Sequence, residues 1–167
     1  EKQAAALKPI LERHKNNRPV ILVGHSLGGP VIAQLAMDYP ELVDGLVLVA
    51  ASIDPALEPD ELWFRAPLAT PFLSWILPRS FRASNEEIYQ LEPQLENMLP
   101  RWKEIKCPVV FIQGKKDQFV PPENAEFAKK MMVNTSVEIV MKEDMDHFVP
   151  WSDPELIRNA ILNLLRD

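Results

Sequence analysis

One serine in this chain stands where a serine can become a nucleophile. Ser26 lies in the run Gly24-His25-Ser26-Leu27-Gly28-Gly29, after a short apolar stretch and before residues of helical pattern. The spacing G-x-S-x-G arises by accident in about one chain in twenty of this length, so the strand before and the helix after are what give it meaning. In that context the turn is a nucleophile elbow. The serine is held in a strained backbone conformation that lifts its hydroxyl above the sheet, and the next residue's N–H points to where an oxyanion forms. Leu27 is the expected oxyanion donor. Gly24 and Gly28, two residues either side of Ser26, are expected to be glycine because a side chain there would clash. No G-x-x-x-x-G-K-[ST] phosphate loop is present.

A serine hydroxyl needs a basic partner, and the partner needs a carboxylate to orient it. The chain has three histidines. His14 falls on the polar side of a helical stretch. His25 precedes the serine in a strand, so its side chain points away from the hydroxyl and is expected to shape the elbow. His147 sits in a polar loop, Asp144-Met145-Asp146-His147-Phe148, after an apolar strand, where sites form in open parallel sheets. It is therefore the expected base. Asp117, in Gly114-Lys115-Lys116-Asp117, follows another strand and is the expected acid. Asp54 stays open as an alternative, while Asp144 and Asp146 read as solvated turn residues.

These residues require a scaffold that brings strand ends together. Hydrophobic periodicity places a helix over 3–16, kinked or restarted at Pro9, and strands at Val20–Val23, Leu46–Ala51, Val109–Ile112 and Val137–Met141. Helices are expected over Pro30–Tyr39, Pro122–Met132 and Pro154–Leu165, the last capped by Asp153. Alternation of this kind gives an α/β fold, a mostly parallel sheet with helices on both faces. Glycine is scarce (5 of 167), yet three of the five fall between 24 and 29; eight of the 16 prolines fall between 55 and 108. That second concentration, with Trp63, Phe64, Phe72, Trp75, Phe81 and Trp102, marks an apolar insertion. Residues 1–52 and 105–167 then form the core, and 53–104 a helical cap or lid. The bland alternative for each aromatic is packing of the insertion onto the body.

Composition excludes several classes of function. A net charge of −6 and no Lys/Arg cluster argue against nucleic-acid binding. No apolar run reaches the ~18 residues of a membrane span. The single Cys107 and scattered histidines imply no disulfide and no metal, and no cofactor is expected. The default location is cytoplasmic.

With these residues in place, the sequence resembles the α/β-hydrolase superfamily, in its serine esterase and lipase-like branch. The elbow Gly24–Gly29 carries the resemblance. So does the segment Ile105-Lys106-Cys107-Pro108-Val109-Val110-Phe111-Ile112-Gln113-Gly114-x-x-Asp117-x-x-Val120-Pro121, and so does His147 followed by Pro154-Glu155. Asp146 departs from the glycine that many members carry before the histidine. Serine at the elbow argues against the haloalkane dehalogenase and epoxide hydrolase branches. The resemblance implies a catalytic triad of Ser26, Asp117 and His147 acting on an acyl substrate through an acyl-enzyme. It also implies that this is the C-terminal part of the fold, lacking N-terminal strands and the loop that gives a second oxyanion donor. The expected partners are therefore a small acyl substrate and either a second copy of the chain or the missing N-terminal segment. The alternative is a non-catalytic hydrolase-fold fragment.

Overall fold

The computed structural model describes residues 2–15, 18–58 and 90–166. Helix α1 (Lys2–His14) leads into strand β1 (Ile21–His25), helix α2 (Gly28–Asp38) and strand β2 (Gly45–Val49). Helix α3 (Leu91–Met98) and a 3-10 segment at Leu99–Glu104 precede strand β3 (Val109–Gly114). Helix α4 (Asn124–Met131), strand β4 (Val137–Lys142), the short helix α5 (Val149–Ser152) and helix α6 (Pro154–Leu164) complete the chain. Most elements lie within a residue or two of their expected positions. Helix α1 runs on through Pro9 without a restart. The separate turn α5 was not expected; it starts with Val149 and Pro150, and proline tolerates a helix's first turn because no bond is owed by its nitrogen. Trp63, Phe64, Phe72, Trp75 and Phe81, expected in a lid, lie outside the described residues.

The four strands form one all-parallel sheet in the order β1-β2-β3-β4, so neighbours in space are neighbours in sequence. Strand alternation divides the apolar side chains between two faces. Leu46, Leu48, Val109 and Phe111 face the larger core, shared with Leu35, Leu95, Trp102, Ala125 and Ala128. Val47, Val49, Val110 and Ile112 face a smaller one, closed by Val149 and Ala160. Helices thus cover both faces, and β2 and β3 are buried throughout, as their unbroken apolar runs require. Trp102 is wholly buried and meets Phe127 edge to face, so it packs the body rather than lining a lid. Strand β1 pairs only with β2 among the described residues.

The glycine cluster proves to be a matter of space rather than of backbone freedom. No described glycine has a positive φ. The left-handed residues are Ser26 (φ 53°) and Ala50 (φ 44°), where the ends of β1 and β2 turn out of the sheet. A Cβ on Gly24 would stand 2.5 Å from the Gly28 carbonyl oxygen, and one on Gly29 would collide with the Ala51 Cβ. At Gly28, in contrast, a Cβ meets nothing within 4 Å, so the clash expected there is absent among the described residues. The residue that must be small after the serine is Gly29, because α2 rests on the end of β2.

Gly29→Ala should therefore lower stability by about 1–3 kcal/mol through overpacking, while Gly28→Ala should stay within ~0.5 kcal/mol, as read from urea unfolding midpoints. Cys107 offers a second check. Burial, opposed only in part by its backbone hydrogen bond, pushes its thiol up to about 11. The native protein should resist iodoacetamide at pH 8, and the urea-unfolded chain should react fully.

Candidate active site

The three residues expected to do chemistry project from the C-terminal ends of three different strands. Ser26 follows β1 directly. Its N–H donates to the Val49 carbonyl at 2.9 Å, and its own carbonyl accepts from Gly29 N–H at 3.0 Å. The elbow is thus tied to β2 on one side and to the first turn of α2 on the other. Held between them, Ser26 keeps a left-handed backbone that costs about 1–3 kcal/mol in a residue with a side chain. Leu27 stands at the N-cap of α2. A groove of about 580 Å³ opens beside it, lined in part by Pro30, Val31, Gln34, Leu91 and Leu95.

Asp117 and His147 are brought together. The His147 Nδ1–H donates to Asp117 Oδ2 at 2.8 Å, with the Asp117 side chain fully buried and that of His147 only 10% exposed. A buried carboxylate is costly unless its oxygens are satisfied. Here Oδ1 accepts the N–H groups of Phe119 and Val120, both at 2.9 Å, and Oδ2 also accepts from Gln113 Nε2 at 3.2 Å. This arrangement spends Nδ1 on the carboxylate and leaves Nε2 to face a substrate or nucleophile, the tautomer a general base requires. The Ser26 hydroxyl forms no hydrogen bond with His147 among the described residues; in sites without substrate that contact is commonly long.

Backbone contact fixes the histidine loop to the acid loop. The Lys116 N–H donates to the Met145 carbonyl at 2.9 Å. A Cβ at Gly114 would strike that same carbonyl oxygen, so glycine there lets the two loops close. Asp144 pairs with Lys116 at the surface, and Asp146 accepts the Phe148 N–H, so both are the turn residues they were read to be. Asp54, the alternative acid, caps a 3-10 turn by accepting from Ala56 N–H. His14 bonds the Ile10 carbonyl on an exposed face.

Three features escaped the sequence reading. Gln113 is a wholly buried amide whose Nε2 reaches Asp117 and the carbonyls of Gly114 and Val120. Its signal was available: a polar residue closing an apolar strand. Asn124, also fully buried, accepts the N–H groups of Ile53 and Asp54 and so anchors the chain beyond β2. Around His147 stands a group of aromatic rings, Phe119 at 5.3 Å, Phe148 at 5.7 Å and His25 at 4.7 Å between centroids. Phe119 and Trp151 are 67% and 71% exposed. Among the described residues no group of three or more His, Cys, Asp or Glu could hold a metal ion, and no helix is long and apolar enough to cross a membrane.

Replacing Gln113 by Met removes a donor to a buried charge and to the Val120 carbonyl, while the Gly114 carbonyl keeps the Asp117 N–H. Stability should fall by about 1.5–3 kcal/mol, measured by urea unfolding.

Known proteins resemble this chain in sequence and in fold. The chain is 28% identical over 138 residues to the mitochondrial palmitoyl-protein thioesterase ABHD10 of Bos taurus, covering 77% of this chain and 44% of that protein. It is 24% identical to the protein ABHD8 of Mus musculus, over 97% of this chain and 42% of that one. The chain thus spans less than half the length of these curated relatives. Among solved structures, the monoacylglycerol lipase of Paleococcus ferrophilus superposes with a TM-score of 0.73 at 17% identity, over 98% of this chain and 74% of the lipase. A structure from the metagenome-derived lipolytic enzymes LipS and LipT gives 0.74 at 21% identity, over 98% of this chain and 71% of its own. At these identities the structural likeness speaks for the fold alone. The family model described as alpha/beta hydrolase family matches residues 2–160, and with nearly the whole chain covered in this way, the protein belongs to that family.

Proposed function

We propose that the chain carries the machinery of a serine hydrolase for carboxylic esters and related acyl compounds. The observation that carries this reading is the buried 2.8 Å hydrogen bond from His147 to Asp117 at the same sheet end as the left-handed Ser26. In the proposed cycle the Ser26 Oγ attacks the acyl carbonyl while His147 Nε2 takes its proton. Asp117 holds the Nδ1–H and offsets the charge of the imidazolium. The Leu27 N–H, reinforced by the N-terminal end of α2, faces the oxyanion. As the tetrahedral intermediate collapses, His147 returns the proton to the leaving group and an acyl-Ser26 remains. Water then attacks and its proton goes to His147; the acyl–Oγ bond breaks as His147 returns that proton to Ser26 Oγ, and the carboxylic acid departs.

The leaving group must sit beside the histidine that protonates it. Phe119 and Phe148 flank the His147 ring and Trp151 meets Phe148 edge-on, which supports an apolar group on the leaving side. A thioester, as in the name of the ABHD10 relative, uses the same machinery. Residues 53–104 are proposed as a cap, although Leu91, Leu95 and Trp102 at their far end belong to the main core.

The second reading is a hydrolase-fold piece without turnover that pairs with a second copy or with an N-terminal segment. The observation in its favour is β1, whose outer edge has no strand partner among the described residues and whose Val23 is exposed. Intact mass after incubation with a fluorophosphonate separates the two. A single adduct on the wild type, absent in Ser26→Ala, is the expected result. Labelling that survives Ser26→Ala, or no labelling even with an upstream-extended chain, would overturn the hydrolase reading.

A further inference from the structure

Strands β1 and β4 occupy opposite edges of the sheet, with β2 and β3 between them. Ser26 hangs from the first and the His147 loop from the last. The ties already described hold His147 to Asp117: the Nδ1–H bond, the Lys116-to-Met145 backbone bond and the close approach at Gly114. None of them fixes His147 relative to the serine. Among the described residues a single hydrogen bond joins the elbow to the histidine loop. His25 Nε2 donates to the His147 carbonyl oxygen at 2.8 Å, across 122 residues of sequence.

We propose that His25 is the positioning residue that sets the separation of Ser26 and His147. For its consequence in catalysis the proposal rests on the serine-hydrolase reading; for its geometry it does not. His25 grips the backbone of the base and not its ring, so both ring nitrogens of His147 stay free for Asp117 and for the serine side. The bond fixes the His25 tautomer, because only Nε2–H can donate to a carbonyl. Ring packing closes the same joint: the His25 ring lies 4.7 Å from the His147 ring, and Trp151 meets it edge-on at 5.6 Å. Because Ser26 is the next residue along the chain, holding the His147 backbone to His25 confines the imidazole to the neighbourhood of the hydroxyl. An error of about 1 Å at such a pair can cost ~10²-fold in rate.

The test uses the full chain and two variants. His25→Gln keeps an N–H at the position of Nε2; His25→Leu removes it and retains apolar bulk. Fluorophosphonate labelling of Ser26 should slow by about 10- to 100-fold in His25→Leu, and His25→Gln should recover most of that loss. In both, the low-field NMR proton of the His147–Asp117 bond should persist, showing that the acid–base pair is intact and the fold retained. In the wild type, nitrogen NMR should place the His25 proton on Nε2. Wild-type labelling by His25→Leu overturns the proposal. Equal loss in both variants also does, because it would assign the effect to the ring and not to the donor. If the wild type itself does not label, the hydrolase reading fails separately, and amide exchange decides the latch. Faster exchange at Phe148 and Val149 in His25→Leu but not in His25→Gln supports it, and unchanged exchange in both overturns it.

Discussion

A carboxylate with no exposure to water survives only where every oxygen has donors, and the site is arranged around that demand at Asp117. Two donors come from the backbone just after it, one from Gln113 at the end of its own strand, and one from His147 beyond the next strand. Each donor constrains a different part of the molecule. The backbone pair curls the loop after β3, Gln113 ties that loop to the sheet, and His147 draws the loop after β4 inward until it rests on Gly114. Val120 buries the first loop and Met145 packs the second against the smaller core. The Lys116-to-Met145 backbone bond and the satisfaction of one buried charge together set their mutual position.

The other half of the site depends on packing rather than charge. Strand β2 is buried along its whole length, and the turns at Ser26 and Ala50 press against its end. The Ser26 N–H bonds the Val49 carbonyl, and Gly29 allows α2 to sit on Ala51. A left-handed residue with a side chain persists only where its surroundings over-determine it. At this elbow they do, through a fully buried strand on one side and a helix on the other.

What could be read in advance follows the same division. Strand and helix positions were legible because apolar runs and proline punctuation report burial directly. Ser26 could be nominated from the G-x-S-x-G spacing between a strand and a helix, and Asp117 and His147 because each follows an apolar strand in a polar loop. Interactions made across the sheet were not legible. His25 was read as pointing away from the hydroxyl, yet nothing in its neighbours reveals that it reaches a carbonyl 122 residues on. Likewise the motif spacing points to Gly28 as the position that must lack a side chain, and only the position of Ala51 shows that it is Gly29. The alpha/beta hydrolase family match spans both kinds of feature, but the fine geometry belongs to this chain's own contacts.

The strand order carries a consequence for assembly. Because the sheet runs β1-β2-β3-β4 in chain order, each strand emerging during synthesis finds its partner already made. Among the described strands this keeps loop-closure costs low at every step after the stretch between β2 and β3. The last of them in the chain is the one that precedes the histidine loop. Until it docks, the Asp117 oxygen that receives His147 stays in water, so the carboxylate gains its full set of donors only in the step that joins β4 to β3.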